Sequence, residues 1–274
     1  PAGFSPSARS TDSVSGGTAA NAGSTVQFVP DGNTGNVNLA INRSQDYCED
    51  NPALCSQLYG VGSAPQPEAV FTVPYTAGST RTTGGTPVTD FQSPATSSLA
   101  MTDQVGTTFG IAYHRNTRRI FVSAFMKKHA AFGPGGPGAI YQVDRGSGSV
   151  SEYVNINTIY GAGTAGLDPH NQSDFNTDNG NATWDAVGKI AFGGMAISDD
   201  QANLYVMNLA DRRLYRIPTS GPLNSTTIQS VAFPTTMPSC TTASEVRPFA
   251  VNWYEGTIYV GAVCSRETSG TVTS

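Results

Sequence analysis

Phe109-Gly110-Ile111-Ala112-Tyr113-His114 leads through a short polar turn into Arg119-Ile120-Phe121-Val122-Ser123, and the same design returns twice more along the chain. Gly193-Gly194-Met195-Ala196-Ile197-Ser198 precedes Asn203-Leu204-Tyr205-Val206-Met207, and Pro248-Phe249-Ala250-Val251-Asn252 precedes Thr257-Ile258-Tyr259-Val260-Gly261. The step from alanine to aromatic is nine residues in every copy: 112 to 121, 196 to 205 and 250 to 259. A unit of antiparallel strands that recurs in register is the sequence mark of a β-propeller. The fold class read from this is all-β, with four-stranded antiparallel blades.

The neighbouring sequence supplies the remaining strands. In the first copy Gly138–Asp144 reads as a third strand and Ser149–Ile156 as a fourth; in the second, Arg213–Pro218 and Ile228–Phe233 take those places. Ala112 to Ala196 is 84 residues, whereas Ala196 to Ala250 is 54. Ten extra residues in Lys127–Pro137 and twenty in the loop from about Asn157 to Val187 account for the difference. The chain is therefore expected to run as an arm over 1–23, N-terminal strands with a Cys-bounded loop over 24–105, a blade over 106–156, an insertion over 157–187, a second blade over 188–235 and a partial blade over 240–274. A ring needs four or more blades. The expectation is a propeller incomplete within these 274 residues, completed by further polypeptide or by a neighbouring copy at an exposed strand edge.

Composition supports this reading. Charged residues are 13% of the chain, against the roughly 25% usual in globular domains. The 30 glycines and 17 prolines suit many short strands joined by turns and suit helices badly. A net charge of −5 argues against nucleic acid as a partner. The basic pairs Arg118-Arg119, Lys127-Lys128 and Arg212-Arg213 are scattered and read as solvated turns and strand edges. No apolar run approaches the ~18 residues of a membrane span, and Pro1-Ala2-Gly3-Phe4 is not a signal peptide, which points to a processed N-terminus.

The four cysteines fall in two neighbourhoods. Cys48 and Cys55 bound a small acidic loop. Cys240 precedes the third repeat and Cys264 follows its second strand, and the two open ends of a hairpin lie close together. Disulfides 48–55 and 240–264 are the expected pairing, and with them an oxidising compartment at the cell surface or outside the cell.

For chemistry, the sharpest pattern is Asp174-Phe175-Asn176-Thr177-Asp178-Asn179-Gly180 followed by Asp185. Oxygen donors at positions 1, 3 and 5 with an acid at 12 follow the ligand order of a calcium loop, which makes Asp174, Asn176, Asp178 and Asp185 the candidate metal ligands. Glycine falls one place late and Asp185 stands where Glu is usual, so a polar loop held by Asx turns competes with the calcium reading. Phe132–Gly138 lacks the Lys-Ser/Thr end of a phosphate loop and reads as a hairpin loop. His114 occupies a turn position filled by Ser198 and Asn252 in the other copies. His129 and His170 lie in the insertions with no partner identifiable in sequence. Tyr141, Tyr205, Tyr215 and Tyr259 read as core between blades; Trp184 and Trp253 leave two readings open, structural packing or, for Trp184 beside the calcium pattern, an exposed contact for a sugar or a protein.

Two stretches, Gly110–Asp144 with its FGPGGPGAIY phrase and Asp178–Ile217 with MNLADRRLY, resemble the N-terminal propeller-like region of large bacterial cell-surface proteins that carry SdrD B-like repeats. The resemblance covers about 105–270. It implies a secreted or surface-bound protein with adhesive, filament or matrix roles, and it brings no catalytic residues. The function expected is a non-enzymatic structural or adhesive module that binds itself, neighbouring domains or a surface glycan. The alternative is a calcium-dependent propeller enzyme of lactonase, lyase or glycosidase type working in the central funnel, where only His114, Asp199 and Arg247 stand near the innermost strands.

Overall fold

The computed structural model describes residues 4–6, 41–43, 52–60, 68–77, 95–171, 175, 181–236 and 240–267. The chain forms two units. The smaller, 1–53 with 74–78, holds an antiparallel pair of β1 (Phe4–Pro6) and β2 (Ile41–Arg43), with Phe4 opposite Arg43. Phe4–Pro6 belongs to the stretch expected to be an arm, yet it is paired; the rest of that stretch lies outside the described residues.

The larger unit, 54–73 with 79–274, is a succession of sheets. The first is three-stranded: β3 (Ala53–Gln57), β4 (Glu68–Pro74) and β5 (Ser97–Met101). A single turn of helix, α1 (Thr102–Val105), then leads into a four-stranded meander of β6 (Thr108–His114), β7 (Arg119–Ala124), β8 (Ala139–Asp144) and β9 (Val150–Asn155). Two short helices, α2 (Ile156–Tyr160) and α3 (Asn181–Ala186), interrupt the link to the second meander. That one comprises β10 (Phe192–Ile197), β11 (Asn203–Asn208), β12 (Arg213–Pro218) and β13 (Gln229–Ala232). A hairpin of β14 (Val246–Tyr254) and β15 (Thr257–Cys264) follows. Four-stranded antiparallel sheets in series, each packed on the next, are the blades of a β-propeller.

The nine-residue step has a direct structural meaning in two copies. Ala112 lies opposite Phe121, and Ala196 opposite Tyr205, across turns of four residues at 115–118 and 199–202. In the third copy Asn252 faces Tyr259, and Ala250 faces Gly261. The turn there has shrunk to Glu255 and Gly256, both left-handed at φ 47° and 76°, as a two-residue hairpin turn of matching twist requires. A slip of two positions keeps every side chain on its own face, because strand side chains alternate with period two.

That alternation stacks the sheets. On one face of β6–β9, Ile111, Ile120, Val122, Tyr141 and Val143 pack against Ala69, Val70 and Ala100 of β4 and β5. The opposite face, with Ala112, Phe121 and Ile140, meets Met195, Leu204, Val206, Tyr215 and Ile217 of the next sheet. The far side of that sheet, with Met207, Leu209 and Leu214, receives Phe249, Val251 and Val260, and Tyr205 stacks on Trp253 at 5.2 Å. Tyr141 and Tyr215 are core as expected; Tyr259, on the outer face of the last hairpin, is exposed.

The first strand of each sheet makes the closest approaches. A Cβ on Gly110 would sit 2.9 Å from the Gly193 carbonyl oxygen, and one on Gly194 would sit 2.5 Å from the Val251 nitrogen. Backbone therefore packs on backbone at β6, β10 and β14, and later strands fan outward, which is the radial arrangement that the repeat predicts.

Candidate functional site

The antiparallel path of each meander decides where its loops go. The turns β6 to β7 and β8 to β9 lie at one end of the sheet; the β7-to-β8 loop and the link onward to the next sheet lie at the other. Both insertions seen in sequence, now 125–138 and 156–191, therefore fall on one face of the propeller. Asn155 caps α2 by accepting from Asn157 N–H at 3.1 Å and Thr158 N–H at 3.3 Å, which turns the chain out of β9 and across this face.

Two histidines bind the insertions together. His170 is buried, with Nδ1 2.6 Å from an Asp168 carboxylate oxygen and Nε2 2.7 Å from the Lys127 carbonyl oxygen. Two acceptors facing two ring nitrogens suit a doubly protonated imidazole, which donates from both sides. His129 donates through Nδ1 to the Phe175 carbonyl at 2.7 Å, and the His170 ring lies 5.1 Å from the Phe175 ring and 5.8 Å from Phe132. Gly106, at φ 63°, lets the loop lie against the start of the sheet, where a Cβ would overlap Gly133.

Beside this junction is a groove of about 320 Å³ lined by Tyr59, Lys127, Lys128, His129, Trp184 and Val187 among others. The Lys127 ammonium stands 4.7 Å from the centre of the Tyr59 ring, and that of Lys128 stands 4.4 Å from the Trp184 ring. Trp184 is 64% exposed. Lys127 and Lys128 are thus not the plain solvated pair that the sequence pattern implies: each charge is set over an aromatic face. The pairing was beyond sequence reasoning because Tyr59 is 68 residues away from Lys127.

The other candidates disperse. Asp174, Asn176 and Asp178 of the calcium pattern lie outside the described residues, as does Cys48. Asp185 accepts from the Lys189 ammonium at 2.6 Å. Lys189 also pairs with Glu267, which in turn pairs with Arg247, and these two cations hold the Glu267 carboxyl down to about 2. Among the described residues no group of three or more His, Cys, Asp or Glu is placed to hold a metal ion. His114 accepts from Thr117 N–H at 3.3 Å and closes its turn, as its position implies. His114 and Asp199 stand at the turn end of the sheets and Arg247 at the insertion end. A seven-residue strand spans roughly 20 Å, so the three do not meet.

Cys240 and Cys264 are joined, with Cα atoms 5.3 Å apart, across the open end of the last hairpin. Cys55 stands as a free thiol, and Cys48, its expected partner, lies outside the described residues. The unforeseen strand β3 turns Cys55 toward the Val70 and Ala100 cluster; burial pushes its thiol up to about 11.

No protein-family model matches the chain. Three proteins of Dictyostelium discoideum are similar to it: Colossin-A, 27% identical over 241 residues, Colossin-D, 28% over 241, and Colossin-C, 30% over 169. The matches cover 85%, 85% and 62% of this chain but only 2%, 24% and 16% of those relatives. These relatives are eukaryotic, which corrects the resemblance to bacterial SdrD B-like surface proteins. The phrases that carried it are dictated by the fold. FGPGGPGAIY forms the loop into β8, and in MNLADRRLY Asn208 accepts from Ala210 N–H, Asp211 accepts from the Tyr215 hydroxyl, and Arg212 takes φ 55°. Among solved structures, a streptogramin B lyase aligns over 60% of this chain and 38% of its own at TM-score 0.31 and 13% identity. The PQQ-bound aldose sugar dehydrogenase of Streptomyces coelicolor aligns over 64% and 42% at 0.31 and 12%. Neither lends an activity to this chain.

Proposed function

We propose that this chain is a non-enzymatic extracellular module, a structural and adhesive platform whose insertion face touches its partner. The observation that carries the reading is the joining of two long insertions on one face by His129 and His170, beside a groove with an exposed tryptophan. Loops raised on a rigid sheet scaffold are where binding surfaces are built. The 240–264 disulfide supports an oxidising compartment. A neighbouring protein, another copy or a surface glycan are the partners this platform suits.

The test is retention of the full chain on intact cells and extracellular matrix, compared between wild type, Trp184→Ala on the insertion face and Asp199→Lys at the opposite end. Wild type and Asp199→Lys are expected to be retained alike, with Trp184→Ala reduced at least tenfold. Equal retention of all three, or robust turnover of a small substrate in the funnel, overturns the reading.

A further inference from the structure

We infer that the open edge of the last hairpin, β15, together with the uncovered outer strands of the sheet beneath it, is where a second copy of this chain adds on, so that two hairpins merge into one four-stranded sheet. This surface is separate from the insertion face and stands whatever that face binds.

Two equivalent places, one covered and one bare, mark the surface. Val122 faces Tyr141 and Val206 faces Tyr215 at the same rung of their sheets. Ile140 with Val154 opposite it therefore corresponds to Leu214 with Val231 opposite it. Val154 is 5% exposed and Ile140 fully buried, in one cluster with Tyr215 and Ile217 from the third strand of the following sheet. Leu214 and Val231 are followed by a sheet of two strands, β14 and β15, among the described residues. Val231 is left 61% exposed. A hollow of about 250 Å³ opens there between Leu214, Gln229, Val231 and Ile258. It is smaller than small-ligand sites, roughly 300 to 1,000 Å³, and it suits the side chains of an added strand. The edge beside it is of the kind that pairs. Thr257–Cys264 is eight residues long with no charge and no proline, and such an edge left bare is a template for another strand. The outer edges of the two full sheets are blunted instead, β9 by the charge of Glu152 and β13 by its length of four residues.

The outer face of the hairpin identifies the partner. Val251 and Val260 pack inward on Met207 and Leu209, which leaves Tyr259 and Val263 outside at 56% and 62% exposed. These are the apolar side chains that Leu214 and Val231 lack. One symmetry brings the two sets together. Because β10–β13 fills the space on the inner side of the hairpin, an arriving copy has to carry its own β10–β13 on the other side of the merged sheet. A two-fold axis running along β15 does this and sets the two β15 strands side by side and parallel. Each hairpin then turns Tyr259 and Val263 onto the partner's Leu214 and Val231, and the contact is the same seen from either copy, as in closed dimers. A two-fold axis normal to the sheet would pair the strands antiparallel and drive both β10–β13 sheets into one volume. The merged sheet runs β14-β15-β15-β14, the strand count of the two full sheets, with main-chain pairing at its centre supplying affinity.

Sedimentation of the full chain over a range of about 1 μM to 1 mM tests the pairing. A reversible dimer is expected. Val231→Lys and Tyr259→Lys change opposite halves of the contact, and each is expected to weaken association about a hundredfold, since an ammonium would be buried among apolar side chains. Asp199→Lys, in the turn between β10 and β11, should leave association unchanged. All three side chains are exposed, so the variants should keep the wild-type melting midpoint in dilute solution; either lysine variant supplies the readout if the other fails to fold. Thr257→Cys reads the direction of pairing. Parallel strands about 4.8 Å apart place it beside its own copy, and mild oxidation should give a reducible covalent dimer beyond any that wild type forms through Cys55. Antiparallel strands would hold the two thiols roughly 20 Å apart. A monomer throughout the range overturns the inference, and if that monomer takes up a peptide copied from Arg213–Pro218 the edge belongs to a strand of another protein. A dimer indifferent to both lysines, or one that Thr257→Cys fails to cross-link, overturns it as well.

Discussion

Sheets β6–β9 and β10–β13 share one frame and differ in the loops they carry, most of all between the second and third strands. Val122 faces Tyr141 in the first and Val206 faces Tyr215 in the second, at the same place in the ladder. Both tyrosines are buried, yet their hydroxyls serve opposite purposes. Tyr141 accepts from Gly135 N–H at 2.9 Å and anchors the long 125–138 loop, whereas Tyr215 donates to Asp211 at 2.6 Å and closes the four-residue turn 209–212. Burial raises both phenols, Tyr141 to about 12, with Asp211 raising Tyr215 further. Burial also raises the Asp211 carboxyl. The frame fixes where a hydroxyl ends up, and the loop chemistry decides what it holds. An insertion has grown where a tyrosine stood ready to tether it.

The common frame is broken most severely at its glycines. Gly194→Val and Gly110→Val should each destabilise by about 3 kcal/mol or more, since the new side chain meets backbone that cannot yield. Chemical denaturation measures this, and near-wild-type stability of either variant would mean that the innermost strands do not pack as described. The hairpin of the third copy comes next. Cys264→Ser removes the link across 24 positions and should cost roughly 3 kcal/mol by loop entropy, with no effect on reduction of the variant by dithiothreitol. The two tyrosines give the sharpest contrast. Tyr215→Phe leaves a buried carboxylate short of a donor, at about 2 kcal/mol, and Tyr141→Phe leaves one amide, at about 1 kcal/mol. Hydrogen exchange should quicken in 209–212 for the first and in 125–138 for the second, and exchanged patterns would refute the division of roles.

The smallest effect is electrostatic. Glu267 titrates normally near 4.5 when unfolded and is held at about 2 when folded. Its stabilisation is therefore complete above the unfolded value and is lost as pH falls through the folded one. Wild type minus Glu267→Gln should differ by about 2 °C in melting midpoint at pH 7 and converge toward pH 2. A constant difference across that range would remove the ion pairs from the account.

Much of the frame was legible because it is periodic. Arg213–Pro218 is a strand over the expected residues, and the alanine-to-aromatic step is the pairing itself in two sheets. Ala53–Gln57 and Ser97–Met101 were not legible. They are short strands of small and polar residues, held by burial against β4 rather than by any alternation of their own. The junction of insertions escaped for another reason. His170 and Lys127 lie 43 positions apart and meet only once the meander has put both loops at one end. The groove depends on Tyr59 in the same way, and no local pattern connects it to Trp184.

The last hairpin is closed twice, by the left-handed Glu255-Gly256 turn at one end and the 240–264 bond at the other. Such a segment has almost no conformational search left. A two-residue turn nucleates in microseconds, while β7 and β8 must first close a loop of fourteen residues at greater entropic cost. In an oxidised chain, assembly is expected to start from the C-terminal side, with the hairpin as the template on which β10 settles and earlier sheets add in turn. Pulse-labelled exchange during refolding would show its amides protected first.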